Sequence, residues 1–263
     1  PLVIELARGL RARGWRPGVV SRGYGGTSEG PTTVTAGSDP FLVGYEPVLI
    51  AREAEVPVVI ARKRGKAVDR LLQETGVDLV IADDGLQHLA LGRVVEIAVI
   101  DDMTGYGNGL LLPAGPLREP LSRLERVDIR VRRGGQPKEG EYSMSVNASA
   151  ARNLVSGEEV ELVEFSGAPL VAVAGIHQPE RFFSTLRNLG LQIQEKAFSD
   201  HHAFQVGDIP QAPESPVLMT AKDAVKCESF AQENWWAVKQ VVTIPQELLN
   251  HLDKLLKRRT HAS

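Results

Sequence analysis

Leu79-Val80-Ile81-Ala82-Asp83-Asp84-Gly85-Leu86-Gln87-His88 decides the reading of this chain. A short apolar run stops at two carboxylates and a glycine, followed by Gln and His. Apolar runs of this length read as a buried strand of a parallel sheet. In such sheets ligands bind beyond the carboxyl ends of the strands, where Asp83 and Asp84 emerge. Carboxylates there suit Mg²⁺ held through one or two oxygens and a substrate's phosphates. An ordinary Asp-Gly turn would explain Asp83-Asp84-Gly85 equally well. Gln87 and His88 favour the site, because a turn needs neither.

Outward from this stretch, helix and strand alternate. A helix over 2–13 ends near Gly14, and a strand over 18–21 runs into Arg22-Gly23-Tyr24-Gly25-Gly26. That turn could hold an anion through glycine backbone and Arg22, although alone it reads as a flexible loop. A strand at 32–35, a helix at 47–54, a strand at 57–61 ending in Arg62-Lys63-Arg64, and a helix at 65–75 lead to the central strand. The strand 96–101 also ends in a carboxylate, Asp101. This alternation predicts a doubly wound α/β domain.

Segment 107–120, with its glycines and prolines around Arg118-Glu119, reads as a loop of enforced shape. A helix at 121–126 and a strand at 127–132 follow. Two alternating stretches near 142–146 and 160–165 read as a β-ribbon, and 170–175 opens a second α/β unit. Its elements are a helix at 179–189, a strand at 191–197, Asp200-His201-His202, a strand at 216–220, an extended stretch at 235–243 and a helix at 245–259. Basic residues end that helix, complementing its dipole.

The 263 residues can bury a substantial core, and 43% hydrophobic with 24% charged residues describe an ordinary globular chain. A net charge of −3 gives no reason to expect nucleic acid. The single cysteine, Cys227, excludes an internal disulfide and reads as a small core residue. No apolar run approaches the roughly 18–20 residues of a spanning helix. A helical pattern starting at Pro1 leads us to expect further sequence upstream.

Arg22-Gly23-Tyr24, Asp83 through His88, the stretch 112–120, Gly175-Ile176, Pro179-Glu180-Arg181-Phe182-Phe183, Phe198-Ser199-Asp200-His201-His202 and 220–226 occur in one order. Together they closely resemble the tetraacyldisaccharide 4′-kinase family, from residue 1 to about 240. The resemblance implies two α/β/α sandwich domains, the first of P-loop NTPase type, joined by a β-ribbon hinge. The expected division is a kinase domain at 1–135, a ribbon at 136–168 and a second domain at 169–263, the final helix having the option of packing back on the first. The reaction it implies moves the γ-phosphate of ATP, with Mg²⁺, to the 4′-hydroxyl of an acylated glucosamine disaccharide 1-phosphate at the cytoplasmic face of the inner membrane.

Matched residue by residue, Asp83 and Asp84 fall beside the metal, with Gln87 and His88 following into the nucleotide site. Arg22, Arg64 and Arg118 fall where the family has basic residues near phosphates or substrate. His201 matches a histidine that partners the catalytic aspartate across the cleft, with Asp200 beside it. A hydroxyl nucleophile needs a proton acceptor, and a histidine near an aspartate can orient and tune it.

Two departures stand out. The family's phosphate loop directly precedes a segment like Pro1-Leu2-Val3, so the chain as written is expected to be a poor kinase or none. The family's proposed base is an aspartate where this chain has Tyr45, in Gly44-Tyr45-Glu46-Pro47. A tyrosine, with an unperturbed pKa of about 10, is a weak base near neutral pH. Glu46 is then the nearest substitute, with Asp39 upstream. Lys63, His177-Gln178 and Ala221 are lesser departures. The alternative reading is a non-catalytic protein that binds the acylated disaccharide; a nucleotide-binding protein with another acceptor leaves Asp200-His201 and loop 112–120 without a role.

Overall fold

In a computed structural model, residues 1–200, 202–209 and 215–260 are described. The order is α1 (Leu2–Arg11), β1 (Pro17–Ser21), β2 (Thr32–Val34), α2 (Pro40–Val43), α3 (Tyr45–Ala54), β3 (Val58–Ile60), α4 (Arg64–Glu74), β4 (Leu79–Ala82), β5 (Ile97–Asp101) and β6 (Ile129–Arg133). The second half adds β7 (Glu141–Asn153), β8 (Glu159–Glu161), β9 (Leu170–Ala174), α5 (Pro179–Asn188), β10 (Ile193–Ala197), β11 (Val217–Thr220), α6 (Ala221–Cys227), β12 (Trp235–Thr243) and α7 (Gln246–Thr260).

Strands β1, β3 and β9 are buried at every position, which is why their sequences are unbroken runs without polar alternation. The four-stranded sheet has the order β2-β3-β1-β4, parallel except for β2. β4 therefore lies at an edge and is half-buried throughout, where the sequence predicted a buried central strand. Its only ladder among the described residues is to β1, so its other edge has no strand paired with it.

The second difference concerns β5 and β6. The alternating pattern predicted them in one sheet with β1–β4, yet they continue the other sheet, in the order β10-β9-β11-β12-β7-β6-β5. The cause is β7, a strand of 13 residues where a short ribbon strand at 142–146 was expected. Its first part pairs with β6 in parallel and its remainder with β12 antiparallel, with one register shift between Lys239 and Gln240, so a single strand carries the sheet across. The expected strand 160–165 is β8 followed by a 3-10 turn, and the predicted helix at 121–126 is a 3-10 turn, Leu121–Glu125.

Helix α1 joins the two halves. Ile4 and Ala7 pack with Val19, Val48 and Val58 in one apolar cluster. Leu2, Leu6 and Leu10, on another stripe, pack with Leu248, Leu249, Leu252 and Leu256 of α7. Gly9 permits that approach, since a β-carbon there would lie 2.6 Å from the Leu249 side chain. Cys227 is fully buried and its thiol is pushed up to about 12 by burial, in keeping with a core residue.

Candidate active site

The β1–β4 ladder runs one residue past β4, with the Asp83 amide donating to the Val20 carbonyl at 2.9 Å. The chain then reverses at Asp84, whose φ of 46° is left-handed, a region asparagine and aspartate tolerate best after glycine. The turn reading is thus realised, and the Asp-Gly reversal presents the two carboxylates at the strand end, where the site reading needs them.

Asp83 is half-buried, and its carboxylate receives the Ser21 hydroxyl at 3.3 Å. Burial raises its pKa, and the nearby Glu46 carboxylate raises it further. Such a carboxylate, short of donors and pressed by like charge, gains from a cation. Among the described residues no cluster of three metal-ligating side chains occurs. A hydrated Mg²⁺ asks only one or two carboxylates plus substrate phosphates, so Asp83 and Asp84 fit it.

Asp84 is exposed and takes the Arg118 guanidinium at 2.8 and 2.9 Å; the same nitrogen donates to the Gln87 amide oxygen at 3.1 Å. Gln87 in turn donates to Glu119 at 2.8 Å. The rigid 107–120 loop therefore meets the Asp-Asp-Gly turn through Arg118 and Glu119. Arg93 grips the turn from beneath, donating to the carbonyls of Leu86 and His88 at 2.8 Å each. The half-buried His88 ring makes no hydrogen bond among the described residues.

Arg64 is buried and donates to the Asp83 carbonyl at 2.9 Å, so it braces the turn's backbone. Burial lowers its pKa, with Asp83 and Asp84 opposing that shift, and its Nε has no partner. Arg22 is exposed beyond the end of β1, near enough to add to the lowering at Arg64.

Glu46 and Asp200 approach from opposite halves of the chain. Gly44, at φ 90° with no room for a β-carbon against the Tyr24 carbonyl at 2.7 Å, aims the first turn of α3. Glu46 there meets Lys222 of α6 at 3.2 Å, and the same ammonium lies 3.7 Å from Asp200. Lys222, absent from the residues singled out by sequence, is the link; its signal lay in the 220–226 segment that carried the resemblance. His201 lies outside the described residues. Its neighbour His202 bonds Asp208 at 2.9 Å and stacks on Phe198, a packing arrangement.

Tyr45 goes elsewhere. Its ring is buried beside Phe41 and beneath the Lys226 ammonium, 5.3 Å from the ring centre. Burial raises its pKa first, with Asp39 and Cys227 adding to it. The residue at the family's aspartate position thus belongs to the α3–α6 packing, and Glu46 is the carboxylate beside Asp83.

Residues 1–257 match the family described as Tetraacyldisaccharide-1-P 4'-kinase. The chain belongs to that family. It is 47% identical to the Tetraacyldisaccharide 4'-kinase of Nitrosococcus oceani, over 98% of this chain and 78% of that protein. The enzyme of the same name from Aeromonas hydrophila is 48% identical over 96% of this chain and 76% of its own length. Among solved structures, LpxK from Aquifex aeolicus in complex with ATP superposes with a TM-score of 0.79 at 27% identity, over 97% of this chain and 82% of that one. The fold class predicted from sequence, an α/β chain of the P-loop kinase type, is therefore the observed one.

Proposed function

We propose that this chain carries the catalytic carboxylates of a lipid A 4′-kinase. In this reading the γ-phosphate of ATP passes to the 4′-hydroxyl of tetraacyldisaccharide 1-phosphate, giving the bisphosphorylated product and ADP. The observation that supports it is a chain of carboxylates at the site: Lys222 bridges Glu46 and Asp200, and Glu46 presses electrostatically on Asp83 at the end of β4. Nothing found favours a non-catalytic binder. The division into 1–135, 136–168 and 169–263 belongs to the same proposal.

Glu46 takes the proton of the sugar hydroxyl as the new oxygen–phosphorus bond forms and the bond to the β-phosphate's bridging oxygen breaks. Lys222 holds Glu46 and Asp200, from the two halves of the chain, in register, and His201 partners that base as the family resemblance implies. Asp83 and Asp84 would hold Mg²⁺, which would supply charge neutralisation for the transferred phosphate. Arg22 and Arg118 face phosphate or substrate, Gln87 and His88 border the nucleotide, and Arg64 keeps the Asp83 turn in place. Among the described residues no helix is long and apolar enough to cross a membrane. Work at the cytoplasmic face of the inner membrane belongs to the same proposal, since an acylated substrate calls for a membrane surface.

The test is phosphate transfer from labelled ATP by the chain extended upstream with the family's phosphate loop. Glu46→Gln should lower kcat by about 10²–10⁴-fold, the usual worth of a general base. Tyr45→Phe should keep turnover, because the ring packs and the hydroxyl does no chemistry. Full activity in Glu46→Gln would remove Glu46 as the base; loss in Tyr45→Phe with an unchanged melting temperature would return the role to Tyr45.

A further inference from the structure

The last two residues of β6 are adjacent arginines with opposite fates. Arg132 is buried and bonds Glu141 at 2.6 and 2.9 Å and Asp102 at 3.2 Å, so its charge is fully met. Arg133, on the other face of the strand, is half-buried. Its side chain has no hydrogen bond and no ion pair among the described residues. Burial lowers its pKa, the Arg181 guanidinium lowers it further, and Asp101 only partly offsets them. A half-buried guanidinium in that condition is costly unless an anion completes it.

Arg181 reaches the same place from α5. Its guanidinium bonds the Asp101 carboxylate, while its Nε is buried without a partner. The Asp101 oxygen that it meets already accepts the amides of Met103 at 3.1 Å and Thr104 at 3.3 Å. Asp101, which acts on Arg133 only electrostatically, is thus already engaged by Arg181 and by two backbone amides. The cluster also adjoins the candidate active site, since Arg133 and Asp83 both act electrostatically on the start of α1, and that helix turns its positive end toward them.

We propose that Arg133 and Arg181 form a phosphate subsite at the ends of β5 and β6, closed by α5 from the second half of the chain. A phosphate oxygen there gives Arg133 its missing counter-charge and Arg181 Nε its missing acceptor, and Asp101 keeps Arg181 aimed while the subsite is empty. The phosphate comes from one of two sources: the polyphosphate of the nucleotide or the 1-phosphate of the acylated disaccharide. The proposal rests on the kinase reading for its substrate, but the anion site itself does not depend on turnover.

Two measurements on the full-length protein test it. In the first, inorganic pyrophosphate should raise the melting temperature of the wild type more than that of Arg133→Gln or Arg181→Gln, with or without kinase activity. Equal shifts in all three, or none in the wild type, would overturn the subsite. In the second, Arg133→Gln should raise one KM by roughly 10–100-fold, the worth of a hydrogen bond to a charged group. Its melting temperature should hold or rise, because the uncompensated charge is gone. A shift in KM for ATP alone assigns the nucleotide, and a shift for the lipid alone assigns the 1-phosphate. Arg181→Lys should recover part of what Arg181→Gln loses. A lower melting temperature with both KM values unchanged would make the pair a structural clasp and refute the proposal. Silence of the wild type in the kinase assay, with the pyrophosphate difference present, would refute the kinase reading and leave the subsite standing.

Discussion

Two acidic positions follow parallel strands in this chain, and their surroundings differ. Asp223, just after β11, is fully buried and completely bonded. It accepts the Gly175 amide at 2.9 Å, the Thr220 hydroxyl at 2.6 Å and the Lys226 ammonium at 2.7 Å. Lys226 is as deeply buried and also sits over the Tyr45 and Phe204 rings. Asp83, just after β4, has a single hydroxyl partner at 3.3 Å and a like charge nearby. The first arrangement is closed and holds α6 to its sheet and to α3. The second is open, and its deficit is what a cation and a phosphate would fill. Saturation of the lone pairs separates a structural carboxylate from a working one, even where fold position is alike.

The sharpest break of this comparison is to remove charge at each site and follow both activity and stability. Asp83→Asn and Asp84→Ala should each cost on the order of 10²–10³ in kcat, as for other groups that place charge in a transition state. Asp83→Asn should nevertheless hold or raise the melting temperature at neutral pH. The sign follows from its raised pKa. Stability linked to Asp83 is greatest below the ordinary carboxylate range and is lost as pH rises through the higher folded value. Thermal melts of wild type and Asp83→Asn across that interval should therefore diverge, with the wild type losing ground as pH rises. Identical profiles would mean that Asp83 is already compensated and the two regions are alike.

Asp223→Ala should do the reverse. It strands the buried Lys226 ammonium, and breaking a buried pair in this way costs about 3–5 kcal/mol. Urea unfolding checks the value. Replacing both partners by apolar residues of similar size, Asp223→Leu with Lys226→Met, should recover much of the loss, because no lone charge is left inside. A single variant as stable as the wild type would show that water reaches Lys226, and the region would no longer count as closed.

How much of this was legible beforehand depends on the range of the interactions. Asp83 and Asp84 were readable because a strand and its turn are local: four apolar residues, two carboxylates and a glycine fix both. Tyr45 was misleading for the opposite reason. Its position matched a site residue, but its direction is set by α6, some 180 residues later, whose Lys226 and Val225 receive the ring. Lys222, Arg133 and Arg181 were missed as site residues because each matters only through a partner distant in sequence. The splitting of the strands between two sheets also escaped, since it turns on the unbroken length of β7, and a single alternating stretch of 142–146 gave no hint that pairing would run on through Asn153. The apolar runs did reveal the strands; they could not say which neighbours β4 would keep.

The mildest effect belongs to Arg118, and it tests whether the open region is held by exposed pairs at all. Its guanidinium and the Asp84 carboxylate are 56% and 66% exposed, so the pair is screened by solvent. Exposed pairs of this kind contribute roughly 0–1 kcal/mol. Arg118→Ala should therefore leave the urea midpoint almost unmoved, while KM for one phosphorylated substrate rises. Arg118→Lys should restore charge without the shared contact to Asp84 and Gln87, and so only part of the affinity. If the unfolding free energy falls by several kcal/mol with KM unchanged, the 107–120 loop is a strut like the Asp223–Lys226 pair, and the carboxylate turn is closed by protein alone. If KM moves and stability does not, Arg118 occupies Asp84 only until a phosphate competes for it, which is how an open site keeps its charges apart from solvent-borne cations between turnovers.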